Sequence, residues 1–402
     1  MHARREPRPR VGDRSRDSAT VTGRSRIAAA VRDATSATGA VSTASVAGAD
    51  RCATDAHRHP TAHGGADDVA RPDAICRPDG HTHSFAGLRL SLLPHPGGEY
   101  ARRVATPQTG IFALGTMSHA YLEFDARPGA DARELVGSVA SLREPRTTIG
   151  GVNLVAGFRP ELWASVAPDL CPRGLTGFNE PMVGADGYTL PATQHDVVVW
   201  LAGAAYDVVF DAARGVIAGL AAQATLGHEL VGWPYHRDLD LTGFVDGTAN
   251  PTLQDAAVAA IVRQGSPGAG GSVLLLQQWE HDAAGWESLS VAEQGQAMGR
   301  RKVEGDELDP MPGTSHVART DQDRFGTIFR RNIGYGTLDR HGTIFVGFSR
   351  DRERLDAMLE SMCARAGGPR DRLTDFVRAV TGAYYFVPAT EALATFATEA
   401  AD

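Results

Sequence analysis

From Pro107 onward the chain runs in short apolar or alternating stretches broken by Gly and Pro, the pattern of strands and helices around a buried core. Residues 111–114 and 120–124 read as strands, and 131–142 has the apolar spacing of a helix that opens on an acidic residue. Residues 195–201 read as a buried strand. Across 206–223, Val208, Val209, Ala212, Val216 and Leu220 share one helical face. The second half repeats this kind of order: a strand at 272–279, a helix at 288–298, strands at 328–332 and 343–348, and an amphipathic helix over 351–364. A further helix is expected over 371–380 and a last strand at 383–387. Strands mixed with helices, without strict alternation, predict an α+β fold. The expected division is into two domains of similar size, 107–235 and 240–390, with the boundary near 234–241.

Composition changes the picture mainly at the front of the chain. Of the 402 residues 42% are hydrophobic, enough to build real cores. Residues 1–90 are instead rich in Arg, Ala, Ser, Thr, Asp, Gly and Pro and nearly free of aromatics, so they are expected to form a disordered tail. Arg4 and Arg5 are followed by EPRPRVGDRSRD, not by the roughly 7 to 15 apolar residues of an export signal, and a cytoplasmic protein is expected. His57, His59 and His63 lie in that tail, where no ligand geometry would be held. No apolar run reaches the roughly 18 to 20 residues of a membrane span, so no membrane partner is expected. The net charge is -8, and because residues 1–50 carry nine Arg against five acids, the remainder is more acidic still and a poor match for nucleic acid. Cys52, Cys76, Cys171 and Cys363 have neither a CxxC pair nor zinc-ligand spacing.

Three segments could carry chemistry. In GFVDGTANP (243–251) an aspartate sits among glycines and an Asn-Pro pair closes a turn; alone, this is first of all a common turn. GTSHVART (313–320) places His316 after Pro310 and Pro312, and a single histidine is more often a surface or hydrogen-bonded residue than a ligand. In IFRRNIGYG (328–336), Arg330 and Asn332 would project from one side of a strand and Arg331 from the other. A cation and an amide facing one cavity suit a small polar ligand; a solvated strand face is the commoner arrangement.

The ordered combination is far more specific. GFVDGTANP, MGRRKVEGDEL, SHVART, FRRN, GTIFVGFSRD and DRLTDFVRAVTGAYYFVP, preceded by PQTGIFALGTMSHAYLEF, resemble in that order the dye-decolorising peroxidases, over residues 107–390. The resemblance implies two ferredoxin-like α+β domains with antiparallel sheets, and one haem b per chain held mainly by the C-terminal domain. It implies His316 as the iron's axial ligand, with Asp375 as the carboxylate on its other nitrogen. Asp246 matches the family's distal proton carrier, Arg330 its distal arginine and Asn332 the neighbouring amide, while Arg300 by position suits a haem propionate. Trp279, Trp286, Tyr335, Tyr384 and Tyr385 are aromatic residues that could carry electrons or merely pack.

The activity implied is reduction of hydrogen peroxide and oxidation of dyes, phenols or similar one-electron donors through a ferryl intermediate. The alternative is a haem-handling or haem iron-releasing protein with incidental peroxidase activity. A homo-oligomer is expected from the resemblance alone, and residues 391–402 carry no evident encapsulin-targeting peptide. Because residues 1–90 lack apolar content, a chain that starts at residue 91 is expected to keep the full-length unfolding midpoint and activity. Thermal melts of the two proteins side by side check this, and a truncated protein recovered only as aggregate would contradict it.

Overall fold

A computed structural model describes residues 104–142 and 151–397, all within one compact unit. The segment 1–90, with Cys52, Cys76, His57, His59 and His63, lies outside the described residues. The first half runs β1 (Ser118–Ala126), α1 (Ala132–Ala140), β2 (Val152–Phe158), β3 (Val197–Gly203), α2 (Tyr206–Leu220) and β4 (Ala224–Trp233). The second runs β5 (Ser272–His281), α3 (Val291–Met298), β6 (Ile333–Gly336), β7 (His341–Ser349), α4 (Arg352–Met362) and β8 (Ala383–Val387). Both halves therefore follow a β-α-β-β-α-β path, and in each the strands lie in the spatial order fourth, first, third, second. All pairings are antiparallel.

The two sheets join along both edges. β4 pairs β6 at Gly232↔Tyr335 and Trp233↔Gly334, and β8 meets β2 at Phe386↔Phe158. With β5 paired to β7, the eight strands close into a ring. Residues alternate across this single layer. One set, including Tyr121, Val198, Trp200, Leu274, Leu276, Ile344, Val346 and Tyr385, fills the interior of the ring. The other set meets helices: Leu122, Phe124 and Val199 pack with Leu135, Val136 and Val216 of α1 and α2. On the second half, Val273, Leu275 and Trp279 face Leu355, Met358 and Leu359 of α4.

Local signals account for several helix ends. Asp131 caps α1 by accepting from the backbone N–H groups of Arg133 and Glu134. Ser290 and Glu293 form a capping box, which starts the helix expected at 288–298 at Val291, and a separate short helix, Ala283–Glu287, precedes it. Gly299, at φ 94°, then ends α3 in the left-handed conformation that favours glycine.

Other expectations fail for physical reasons. Residues 111–114 are not a strand; the chain forms a 3-10 turn at Thr109–Phe112. There the edge of β2 is satisfied by a side chain: Gln108 Nε2 donates to the carbonyls of Ala156 and Pro388, and Gln108 Oε1 accepts from Ala156 N. Residues 371–380 are not a helix. The Asp371 carboxylate captures Leu373 N to start a 3-10 turn, Arg372–Asp375, and Val377–Ala379 is drawn out as a strand along β5. The strand expected at 328–332 is interrupted because Asn332 Oδ1 accepts Val346 N, replacing a ladder bond, so only Phe329–Arg330 pairs before β6 begins. β2 and β4 were not anticipated at all.

The amide of Gln108 is buried and replaces backbone pairing at a sheet edge. Gln108→Met, of similar length, is expected to leave Ala156 unpaired and lower stability by about 2 kcal/mol. Urea unfolding measures the loss, and an unchanged midpoint would show that water takes over both bonds.

Candidate active site

On the helix side of the second half, between β5, β7 and α4, lies a cavity of about 1230 Å³. Its apolar walls include Phe244, Leu275, Met298, Phe345, Met358 and Leu359. The polar side chains that open on it include Asp240, Asp246, Gln277, Arg300, His316, Arg330 and Asn332. Five of the six residues singled out by the sequence, His316, Asp246, Arg330, Asn332 and Arg300, are thus brought to one cavity.

His316 opens a one-turn helix, His316–Arg319, whose preceding Ser315 is fully buried and caps it by accepting Ala318 N. His316 Nδ1 lies 2.7 Å from Asp371 Oδ2, a carboxylate with 0% exposure. An ionised carboxylate only accepts, so Nδ1 carries the hydrogen and the lone pair of Nε2 is left toward the cavity. Asp371 is itself fixed, since its other oxygen accepts Leu373 N at 2.9 Å. The carboxylate on His316 is therefore Asp371 and not Asp375. Asp375, 47% exposed, is held 2.6 Å from Arg370 Nη2. It follows Asp371 by one turn, and the 3-10 turn carries it outward.

Asp246 stands in the turn between Gly243 (φ 82°) and Gly247 (φ 81°), positions where a side chain would be strained. Its Oδ1 accepts from Gly247 N at 2.7 Å and Asn332 Nδ2 at 3.4 Å, leaving Oδ2 without a protein partner among the described residues. Asn250 at the end of the same turn clamps the backbone of Arg330 from both sides: its Nδ2 donates to Arg330 O and its Oδ1 accepts Arg330 N, both at 2.9 Å. The aspartate's turn and the arginine's strand are thus a single hydrogen-bonded unit. Arg330 Nε is buried and has no partner among the described residues. Arg331 turns the other way, into the ring, where Nη1 donates to Ile111 O and the guanidinium covers Trp200 at 5.1 Å. Arg300 lines the cavity, but its Nη2 is 2.6 Å from Glu307 and its Nη1 donates to Gly305 O.

Four residues of the site were missed by sequence reasoning: Asn250, Gln277 and Asp240, which line the cavity, and Asp371 behind His316. Asn250 and Asp371 lie within the quoted motifs, and Asp371 precedes a turn as capping residues do, yet neither partner is near in sequence. Gln277, on β5, is 1% exposed and its Nε2 has no partner among the described residues. Only its inward-facing register, next to Leu275 and Trp279, marks it. Asp240 also opens on the cavity. Burial pushes its carboxyl up to about 6, and the charge of Asp246 adds to the effect against the hydrogen bonds from Thr242.

Residues 237–392 match the family described as Dyp-type peroxidase, C-terminal. The chain is 32% identical over 290 residues to the dye-decolorizing peroxidase of Brevibacterium linens, covering 68% of this chain and 78% of that protein. It is 33% identical over 304 residues to the dye-decolorizing peroxidase of Rhodococcus erythropolis, covering 72% and 88%. The chain belongs to the dye-decolorising peroxidase family. Among solved structures, a variant of DypB from Rhodococcus jostii RHA1 in complex with haem superposes with a TM-score of 0.63 at 31% identity, over 73% of this chain and 97% of that one. As a dye-decolorising peroxidase the protein is an enzyme, and no helix among the described residues is long and apolar enough to cross a membrane.

The raised pKa of Asp240 has a stability consequence. The folded protein holds the proton to about pH 6, whereas an unfolded aspartate releases it near 3.9, so the stability linked to the neutral form is full below about pH 4 and lost as pH rises through about 6. Asp240→Asn keeps an oxygen for Thr242 but does not ionise. Relative to wild type it is expected to gain on the order of 2 to 3 kcal/mol between pH 4 and pH 7. Urea unfolding across that range checks this, and parallel pH profiles for the two proteins would contradict it.

Proposed function

We propose that the cavity holds one haem b per chain and that the enzyme reduces hydrogen peroxide there, oxidising dyes, phenols or similar one-electron donors. The single observation that carries this reading is the buried His316–Asp371 pair, which leaves one imidazole lone pair facing a large, mainly apolar cavity also entered by Asp246, Arg330 and Asn332. The donor set fits the group: a neutral imidazole backed by a carboxylate is a strong iron ligand, and the apolar walls suit a macrocycle. The haem bound by the similar DypB variant supports the same cofactor here. In this reading the two β-α-β-β-α-β halves are the family's two ferredoxin-like domains, 107–235 and 240–390, and the second holds the haem. The free thiols of Cys171 and Cys363 agree with a reducing, cytoplasmic setting.

Bound haem would supply the redox chemistry at iron. His316 Nε2 would ligate it, and Asp371 would orient the ring and strengthen its donation. Asp246 Oδ2 would take the proton of peroxide and return it to the departing oxygen, which calls for a group that both accepts and donates. Arg330, fixed in place by Asn250, would stabilise the negative charge that develops as the O–O bond breaks. Asn332 would hold Asp246 and offer an amide to peroxide or its water. Arg300 would turn part of its guanidinium to a propionate; its pairing with the half-exposed Glu307 is weak enough to be shared.

His316→Ala is expected to lose haem, and Asp371→Asn to retain it about 10- to 100-fold less tightly, while Asp375→Asn binds as wild type. At full haem occupancy, Arg330→Leu is expected to slow the peroxide-dependent change of the Soret band by about 10² to 10³. Asp246→Asn should slow it by roughly 10² to 10⁴. Haem titration and stopped-flow spectroscopy measure these. Wild-type rates in both distal variants would favour the haem-handling alternative, which needs His316 but none of the peroxide machinery.

A further inference from the structure

The ring of strands encloses a second cluster of chemistry, separated from the cavity by one sheet layer. Tyr385 of β8 is fully buried in the ring and donates its O–H to Glu123 Oε1 at 2.6 Å. Glu123, on β1, is 2% exposed, and its other oxygen lies 2.9 Å from Nδ1 of His228 on β4. His228 reaches partly to solvent and stacks on His195 at 6.5 Å. A phenol, a buried carboxylate and a part-exposed imidazole thus form one hydrogen-bonded line from the middle of the ring to its rim.

The adjacent tyrosine supplies an internal comparison. Tyr384 points to the opposite face and also donates to a carboxylate, Asp356 at 2.8 Å. That carboxylate is already paired with Arg352, whose guanidinium sits over the Tyr384 ring at 4.4 Å. A cation on the ring opposes removal of an electron and weakens the base. Tyr121, inside the ring, faces His119 across 3.5 Å, and burial pushes that imidazole down to about 4, making it a poor proton acceptor. Tyr385 combines a carboxylate acceptor whose other partner is an imidazole, not a guanidinium, with a ring that no cation covers among the described residues. The hydrogen bond of His228 itself to Glu123 raises the proton affinity of that imidazole, further along the line.

The geometry points to Tyr385 as a redox-active residue of this peroxidase, oxidised with transfer of its proton to Glu123. In this step the O–H bond of Tyr385 breaks, and its electron passes to the one-electron oxidant generated when peroxide is reduced at the cavity. The proton moves to Glu123 Oε1, which becomes the neutral acid while still accepting from His228. The reverse step restores phenol and carboxylate when a donor returns the electron. The electron has one sheet layer to cross: Tyr385 pairs with Leu274 of β5, and the next residue, Leu275, lines the cavity. An oxidising equivalent that finds no donor in the cavity would be held inside the ring. The inference rests on the proposed function for its oxidant alone.

The test is freeze-quench electron paramagnetic resonance of the haem-loaded protein, mixed with one equivalent of hydrogen peroxide and no donor. An organic radical that narrows when the tyrosines are ring-deuterated is expected in wild type and Tyr384→Phe, and is expected to vanish in Tyr385→Phe. Glu123→Gln keeps a hydrogen-bond acceptor but not a base, so the yield should fall by about tenfold or more. A wild-type signal unchanged in Tyr385→Phe, or peroxide consumed with no tyrosyl signal in wild type, overturns the assignment and leaves the peroxidase reading standing. If peroxide is not consumed, the proposed function fails instead, and a flash-generated ruthenium(III) oxidant decides the tyrosine without haem. Equal tyrosyl yields from Tyr384→Phe and Tyr385→Phe would then sink it.

Discussion

A closed antiparallel ring leaves each strand two destinations for its side chains, and that partition governs the rest of the molecule. With both edges joined, at β4–β6 and β8–β2, no strand can slide without carrying its neighbours, so register is shared by all eight. Residues adjacent in sequence are consequently sent to different chemical worlds. Arg330 enters the cavity while Arg331 crosses into the ring; Tyr384 packs against α4 while Tyr385 meets Glu123. One sheet layer therefore serves as the wall of a ligand cavity on one side and as the container of a polar line on the other.

The cavity concentrates groups that burial would otherwise disfavour, and hydrogen bonds anchor either their side chains or their backbone. Asp371 is fully buried, a costly place for a charge, but it accepts from both His316 and the backbone of Leu373. Asp246 is anchored through Gly247 and Asn332, and Arg330 through the backbone clamp of Asn250. Such fixed dipoles need not reorganise as charge develops, which is the condition under which electrostatic stabilisation acts most strongly. Asp240 is the exception that shows the field at work: beside Asp246, and with little water, it keeps its proton to higher pH than an ordinary aspartate.

Much of the fold was legible in the sequence. The β8 strand spans the residues that its apolar run indicates, and α1, α2 and α4 fall within a few residues of their periodic stretches, because one-faced burial imposes a period that side chains alone reveal. The peroxidase motifs were equally legible, as was the opposite projection of Arg330 and Arg331, which follows from alternation along an extended chain. β2 escaped notice because closure buries parts of both its faces, and β4 because Gly227, His228 and Glu229 break its apolar run although its burial alternates.

What only the tertiary structure decided is which of several chemically equal candidates meets its partner. Asp371 and Asp375 are four residues apart, and on the helix that the local pattern suggests they would share a face, so DRLTD alone does not distinguish them. The distinction comes from contacts distant in sequence: His316, 55 residues away, takes Asp371, while Arg370 and the outward 3-10 turn take Asp375. Gln108 at the β2 edge, Asn250 on the Arg330 backbone and Tyr385 on Glu123 have the same character. Local sequence determined the elements and the inventory of reactive side chains, since propensity and periodicity act within a few residues. The pairings that give those side chains their chemistry span tens to hundreds of residues, and they exist only once the ring has closed.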